Sequence, residues 1–357
     1  MKILSNFVLL LALLFLISCD KKNEKNPENT VTEIPYEETI TKGNPIDYDN
    51  TKVLETVYVI SKEGIVGKSQ ADQTAESIAT YKYGDRLEVI ETTDKWLGIR
   101  DRVSREIVAE GKTVQQWQWE KVYVLKYKTG SKDQIKITAS DLYSVYNLQI
   151  NEEVITLETE KKIKNYLTIE LIDKDFFESK KSTEVSFLVA DTTQIIKKNG
   201  ILELPCQNKT VTYVDKPDSE EDRQEYFYEG QIPFLNQYVL SASYYESFDY
   251  RFVDKTTSKE IHFIDYPNIS PNKKHIISIY TNPYETSADL ELFTITDTQI
   301  KKILYISFNK WMPTVEPRDI FWSNDGYLYL SVNSVYTFWN ADGNLNKKSQ
   351  YIRIKVR

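Results

Sequence analysis

From Glu55 to its end the chain is written in short apolar runs, each closed by a polar turn, and this pattern restricts the fold class. Thr56-Val57-Tyr58-Val59-Ile60 is rich in β-branched and aromatic residues. Arg86-Leu87-Glu88-Val89-Ile90-Glu91 alternates with the period of two that turns one face of a strand to a core. Further strands are expected at Val154–Leu157, Leu167–Ile172, Val185–Val189, Ile261–Ile264, His275–Tyr280, Leu290–Ile295 and Lys302–Phe308. Lys198-Asn199-Gly200-Ile201, Asn324-Asp325-Gly326-Tyr327 and Ala341-Asp342-Gly343-Asn344 carry the Asn-Gly or Asp-Gly pairs that accept the positive φ of tight hairpin turns. Helical spacing is scarce. Ser140–Tyr146 is the one short turn expected, with Ser140 as its cap. The expected fold class is all-β.

The start of the chain bears on where this body works. Phe7 to Ile17 is an unbroken apolar run behind a single basic residue, Lys2. A spanning helix needs about 20 apolar residues, so the run has the length of a signal-peptide core instead. Leu16-Ile17-Ser18-Cys19 closes it and resembles the bacterial lipobox. That resemblance implies cleavage of a 1–18 leader and lipidation of Cys19 by a diacylglyceryl thioether and an amide-linked acyl chain, palmitate among the expected chains. One acyl chain gives only marginal membrane binding, whereas two or three on one residue make the attachment effectively permanent. A secretory leader that merely contains a cysteine is the competing reading. The abrupt change to Asp20-Lys21-Lys22-Asn23-Glu24-Lys25-Asn26 argues against it. The expected location is the cell envelope, lipid-anchored to a bacterial membrane, periplasmic or surface-exposed.

Residues 19–55 read as a lipidated, disordered linker. They are polar, lack a sustained period, and carry Pro27, Pro35 and Pro45. A flexible chain of this length spans roughly 33 Å. Without residues 1–18 the chain has 44 basic and 53 acidic residues, a net charge of −9. Such a balance offers no electrostatic route to nucleic acid. With Cys19 lipidated, Cys206 is the only thiol, so no internal disulfide is expected and stability must come from apolar burial.

Residues 56–125 form the first expected domain. The opening strand, the Tyr83-Gly84-Asp85 turn leading into Leu87-Glu88-Val89-Ile90, the Trp96-Leu97-Gly98-Ile99 strand and the closing Val122-Tyr123-Val124 together resemble a bacterial SH3-like domain, a small barrel. Two features depart from that family. Ser61-Lys62-Glu63-Gly64-Ile65 replaces its Asn-Val-Arg-Ser-Gly-Pro segment, and the hairpin at 103–117 is longer. The resemblance implies binding of cell wall or peptide, with Trp96, Trp117, Trp119 and Tyr83 as a candidate ligand groove. Two of the tryptophans packing and sealing the barrel is the alternative.

Residues 126–357 are expected as a larger β-rich domain, propeller-like or a meander. Ile269-Ser270-Pro271-Asn272-Lys273-Lys274-His275 is echoed by Trp322-Ser323-Asn324-Asp325-Gly326-Tyr327, and both resemble the turn-then-strand element of propeller blades. At about 45 residues per blade this region holds about five. Residues 215–229 are strongly acidic and read as a solvated loop, without the ligand spacing of a calcium-binding EF-hand.

Catalytic patterns are sparse. A cysteine hydrolase needs a thiolate, a histidine and an orienting group, and Cys206, His262 and His275 are the only residues to supply them. Cys206 follows a strand in Leu204-Pro205-Cys206 without a helix start to lower its pKa, and reads as a buried apolar residue. His262 and His275 read as half-buried strand positions. No zinc spacing, P-loop, dinucleotide fingerprint or Gly-x-Ser-x-Gly elbow occurs, so no metal and no cofactor is expected. A glycosidase pair of carboxylates needs no local motif and cannot be picked out from 53 acids. The expected function is a non-catalytic envelope lipoprotein, a binding or scaffold module for peptidoglycan, another glycan or an envelope protein. The alternative is an envelope hydrolase whose residues lie in the C-terminal β-domain.

Overall fold

The computed structural model describes residues 43–109, 112–219, 221–340 and 342–357. Cys19, the leader and most of the expected linker lie outside the described residues. The fold is all-β, in several antiparallel sheets. Among the described residues no helix is long and apolar enough to cross a membrane.

The first sheet contains β1 (Glu55–Val59), β2 (Ile65–Lys68), β3 (Ser77–Tyr81), β4 (Arg86–Thr92), β5 (Trp96–Ala109), β6 (Lys112–Leu125) and β7 (Thr129–Gly130). Alternation drives it: in β4 Leu87 and Val89 point inward while Arg86 and Glu88 face water. Val57, Val59, Leu97, Ile99, Val103, Val122 and Val124 join them, so the sheet curls over a core made from its own strands. Among the described residues the small barrel expected over 56–125 does not close. There the strand order β3-β2-β6-β5-β4-β1-β7 has two ends, with the short β7 on the open edge of β1 and β3 paired with β2. The tip of the β5–β6 hairpin, residues 106–116, is a separate unit, within which Gln115 Nε2 donates to Glu106 Oε1 at 3.1 Å.

Residues 43–54 were expected as linker, yet they are held along this sheet. The Lys121 amide donates to Asn44 O at 2.9 Å, Ile46 N to Trp119 O at 2.9 Å, and Leu54 N to Val89 O at 2.7 Å. Glu120 explains the clamp. It is fully buried and gripped by Arg105 through Nε at 2.7 Å and Nη2 at 2.8 Å, and it also accepts from Asn44 N at 3.2 Å. Burial works to raise the Glu120 carboxyl, but these donors and Gln118 outweigh it and hold its pKa below the usual range.

Beyond β7 the chain forms β8 (Val145–Ile150), β9 (Glu153–Val154), helix α1 (Thr159–Lys164), β10 (Leu167–Ile172), helix α2 (Lys174–Lys181), β11 (Glu184–Val185) and the hairpin β12 (Ile201–Pro205) with β13 (Thr210–Val214). A four-strand meander follows: β14 (Gln224–Ile232), β15 (Gln237–Tyr244), β16 (Phe248–Asp254) and β17 (Glu260–Phe263). A second comprises β18 (Asn268–Ile269), β19 (His275–Asn282), β20 (Ser287–Thr296) and β21 (Gln299–Phe308). The chain ends with β22 (Trp311–Pro313), β23 (Ile320–Ser323), β24 (Leu328–Ser334) and β25 (Gln350–Val356). The expected Asn199-Gly200 turn is present, with both residues at positive φ (48° and 74°), and it joins Lys198 to Ile201 ahead of β12. The expected helical turn is a 3-10 turn at Ala139–Asp141 with Thr138 rather than Ser140 at its N-cap position, where the Asp141 carboxylate accepts from Thr138 N at 2.7 Å.

These sheets stack face to face. Leu202 and Leu204 of the hairpin pack on Leu240 and Val253 of the first meander. Val239, Phe252 and Phe263 on that meander's other face meet Ile276 and Phe293 of the second. Leu290, Leu292 and Ile306 of the second then pack on Leu328, Leu330 and Ile352 of the last sheet. Covered on both faces, β20 and β24 are buried almost end to end, polar positions such as Asp289, Glu291, Ser331 and Asn333 included. Two early strands complete late sheets: β8 pairs with β21 (Leu148 opposite Ile306) and β10 with β25 (Ile169 opposite Ile354). The stack ends at the β12–β13 hairpin on one side. On the other, α2 places Phe177 against Phe321 and Tyr329. Both expectations, propeller and meander, contain such successive sheets; among the described residues no strand pairing joins the two ends into a ring.

Candidate functional site

The structure does not bring the four expected groove residues together. Trp96 is buried at the start of β5. The Lys126 amide donates to Lys95 O at 3.0 Å, which sets that start beside the end of β6. Trp117 and Trp119 lie six to eight residues back along β6 from Leu125, roughly 20–26 Å at strand rise. Trp119 is half-buried against Tyr48, with ring centroids 4.2 Å apart, and Trp117 is 59% exposed with Arg102 5.9 Å from its ring. Tyr83 serves a joint instead. Its hydroxyl accepts from Lys136 N at 2.7 Å, its ring meets Tyr336 edge-on at 5.9 Å, and Lys62 Nζ lies 3.8 Å from its centroid. The long hairpin separates the tryptophans, and the joint occupies Tyr83.

The best-formed concavity lies in the sheet stack, built around a segment the sequence marked only as a strand. Residues 184–190 leave β23, where Val185 pairs with Trp322, and cross to β14, where Val189 exchanges both backbone hydrogen bonds with Gln231 (2.9 and 3.0 Å). Gly230 permits this docking. It has φ +140° at a bulge in β14, and a Cβ there would stand 2.3 Å from Val189 O. The strap walls a cavity of about 340 Å³ whose lining includes Glu184, Tyr250, Tyr266, Asn268, Arg318 and Trp322. A cavity of about 210 Å³ adjoins it, sharing Arg318 and Ile320. Trp322 separates it from a third of about 340 Å³, lined by Ser270, Asn272 and His275 from one echoed turn and Asn324 to Gly326 from the other. The echo is thus structural: Ser270 N donates to His275 O and Ser323 N to Tyr327 O, each at 2.9 Å, at the start of a strand.

The walls are rigidly set. Asp265, 2% exposed, pairs through Oδ1 with Arg318 Nη2 at 2.7 Å and accepts from the Tyr266 amide at 2.6 Å. Its backbone is tied on both sides by Ser278, whose Oγ accepts from Asp265 N and donates to Asp265 O, each at 2.8 Å. Burial pushes the Asp265 carboxyl above the usual range, with Arg318 pulling against it. The Trp322 indole N–H donates to Asn268 O at 3.0 Å, and Asn268 Nδ2 to Tyr266 O at 2.9 Å. Burial pushes the Tyr250 phenol up to about 12, with Glu229 and Asp265 adding to it, and raises Tyr266 too. Both phenols therefore keep their protons at neutral pH and can donate as well as accept. Their rings stand 5.5 Å apart at 88°, forming a corner.

The other sequence candidates lie elsewhere. Cys206 packs at the edge of the core beneath the β12–β13 hairpin, and among the described residues neither histidine bonds to it. His262 is exposed rather than half-buried, with Nδ1 3.0 Å from Asp249 and Nε2 3.5 Å from Glu260. Arg251, only 12% exposed, bridges the same two carboxylates. His275 is half-buried, and burial lowers its pKa. Sequence reasoning missed the cavity residues because they come from four strands and two loops spread along the chain. The nearest signal was the echo whose second copy begins with Trp322.

Comparison with family models, with curated proteins and with solved structures finds no match to this chain.

Proposed function

We propose that this chain is a lipid-anchored lipoprotein of a bacterial envelope, held through Cys19, whose β-rich body is a non-catalytic binding or scaffold module. The location rests on the apolar run closed by Leu16-Ile17-Ser18-Cys19. The binding role rests on one observation above all: the guanidinium in the best-formed cavity is already neutralised by buried Asp265, and the phenols around it hold their protons. These groups suit recognition by hydrogen bonding and ring contact rather than proton transfer. The curled first sheet, with its Tyr83-Gly84-Asp85 turn entering β4, supports the reading of an SH3-like domain carried between the anchor and the sheet stack.

Lipidation is tested by fractionating cells that express the full chain or its Cys19→Ala variant. The parent is expected in the membrane fraction with added acyl mass, and the variant in the soluble fraction. A Cys19→Ala chain that stays membrane-bound removes the anchor from the proposal.

A further inference from the structure

Charge, shape and hydrogen-bonding capacity at the cavity walled by Tyr250, Tyr266 and Trp322 select one ligand class. We infer that it holds one uncharged sugar ring of a glycan, with the chain continuing past Arg318 into the adjoining cavity. This deepens the binding reading and rests on it. Size is the first argument. About 340 Å³ lies at the small end of ligand pockets, enough for a single ring.

Charge is the second. An anion would be drawn by Arg318 but meets a guanidinium already paired with Asp265 at 2.7 Å, and Glu184 adds further negative charge. A cation would have only the Glu184 carboxylate in the lining to offset the loss of its hydration. A neutral polyol meets neither obstacle, and its hydroxyls both donate and accept. The walls offer both capacities: N–H donors on Arg318, two-way hydroxyls on Tyr250 and Tyr266, and an acceptor on Glu184.

Shape is the third. Two aromatic rings at 88° form a corner, so the C–H face of a sugar can lie on one ring while its edge meets the other. Trp322, 2% exposed and tied through its indole N–H, closes one end. Arg318, with its side chain 37% exposed, stands at the other end, where the adjoining cavity begins. The Ser278 and Asn268 hydrogen bonds and the Gly230 docking fix the walls in advance, which lowers the ordering cost of binding a weakly held ligand.

The test uses the full chain in detergent and three neutral probes: cellotriose, maltotriose and tri-N-acetylchitotriose. Isothermal titration is paired with saturation-transfer NMR, with inorganic phosphate and spermidine as charged controls. At least one trisaccharide should bind, more tightly than its monosaccharide. Tyr266→Ala should weaken it by about tenfold or more. Tyr266→Phe, which keeps the ring, should stay within about threefold. Arg318→Lys, which keeps a charge for Asp265 but loses the planar fork, should weaken binding while circular dichroism stays unchanged. Trp117→Ala should have no effect. The inference is overturned if no trisaccharide binds at about 10 mM, where even millimolar affinity would register. It is equally overturned if Tyr266→Ala and Arg318→Lys bind like the parent, or if phosphate or spermidine binds more tightly than every sugar. A chain that fractionates with membranes through Cys19 but ignores all three sugars loses this inference alone. One that binds sugar but is released from membranes loses the anchor alone.

Discussion

Glu120 carries charge at 0% exposure, and the sequence around it, Trp119-Glu120-Lys121, reads as an ordinary half-exposed strand position. What makes the burial tolerable is the two-point grip of Arg105 together with the Asn44 amide. Because its folded pKa is depressed, Glu120 contributes stability above its unfolded value, about 4.3, and that contribution is lost as pH falls through the folded value. Asp265 has the opposite sign. Its folded pKa is raised, so its ionisation costs stability at neutral pH and the cost disappears as pH falls. Glu120→Gln should therefore destabilise the chain by about 3 kcal/mol at pH 7, since it leaves Arg105 with only the exposed Glu76, at 3.5 Å, as a charged partner. Urea denaturation should show the gap between parent and variant closing below about pH 4. A gap independent of pH would mean that packing, not charge, holds the clamp. Tyr83 and Trp96 teach the same lesson in reverse: both are aromatic and near a turn or strand end, yet one is a joint and the other is buried.

At the scale of elements, α2 is the clearest piece that strand-seeking misses. Asp173 caps it by accepting from Phe176 N at 2.7 Å, and Lys180 and Lys181 sit in its last turn, where cations suit the helix dipole. Both signals are written between Asp173 and Lys181, but eight residues between strands are too few for a convincing helical period. The helix ends the sheet stack: Phe177 is fully buried, 4.5 Å from the Tyr351 ring and 5.4 Å from Phe321. Phe177→Ala should cost about 3–5 kcal/mol in chemical denaturation. Asp173→Ala should cost only about 1 kcal/mol, because packing rather than the cap holds the helix. Equal costs would show that α2 is stabilised locally.

For the molecule as a whole, the first sheet and the sheet stack share a joint. Tyr83 and Tyr336 meet there, Lys62 Nζ reaches Asp141 at 2.8 Å, and Lys348 pairs with Asp133. Burial works to raise the Asp141 carboxyl, but Lys62 and Thr138 outweigh it and hold its pKa down. With Tyr83 also bonded to the backbone of Lys136, a single ring carries much of the contact. Tyr83→Ala should split thermal unfolding, followed by calorimetry, into two transitions, one for each side of the joint. A single transition, merely shifted, would count against the joint. Long-range pairing makes the stack itself cooperative. β8 and β10 must await β21 and β25, more than a hundred residues later, before their edges are filled.

What the residues alone determined is local: the all-β class, the tight turn at Asn199-Gly200, the echoed turns before β19 and β24, and an apolar run, Phe7 to Ile17, ahead of a polar segment. Each depends on neighbours a few positions apart, where alternation, turn chemistry and apolar length act directly. The open path of the first sheet, the docking of residues 43–54, the late closure by β8 and β10, and the Tyr250–Tyr266–Arg318 cavity belong to the tertiary structure. They arise from contacts between segments that carry no mark of one another in the sequence. The fold decides which edges remain free and which faces meet, and so places a buried aspartate beneath an arginine that lies 53 residues further along.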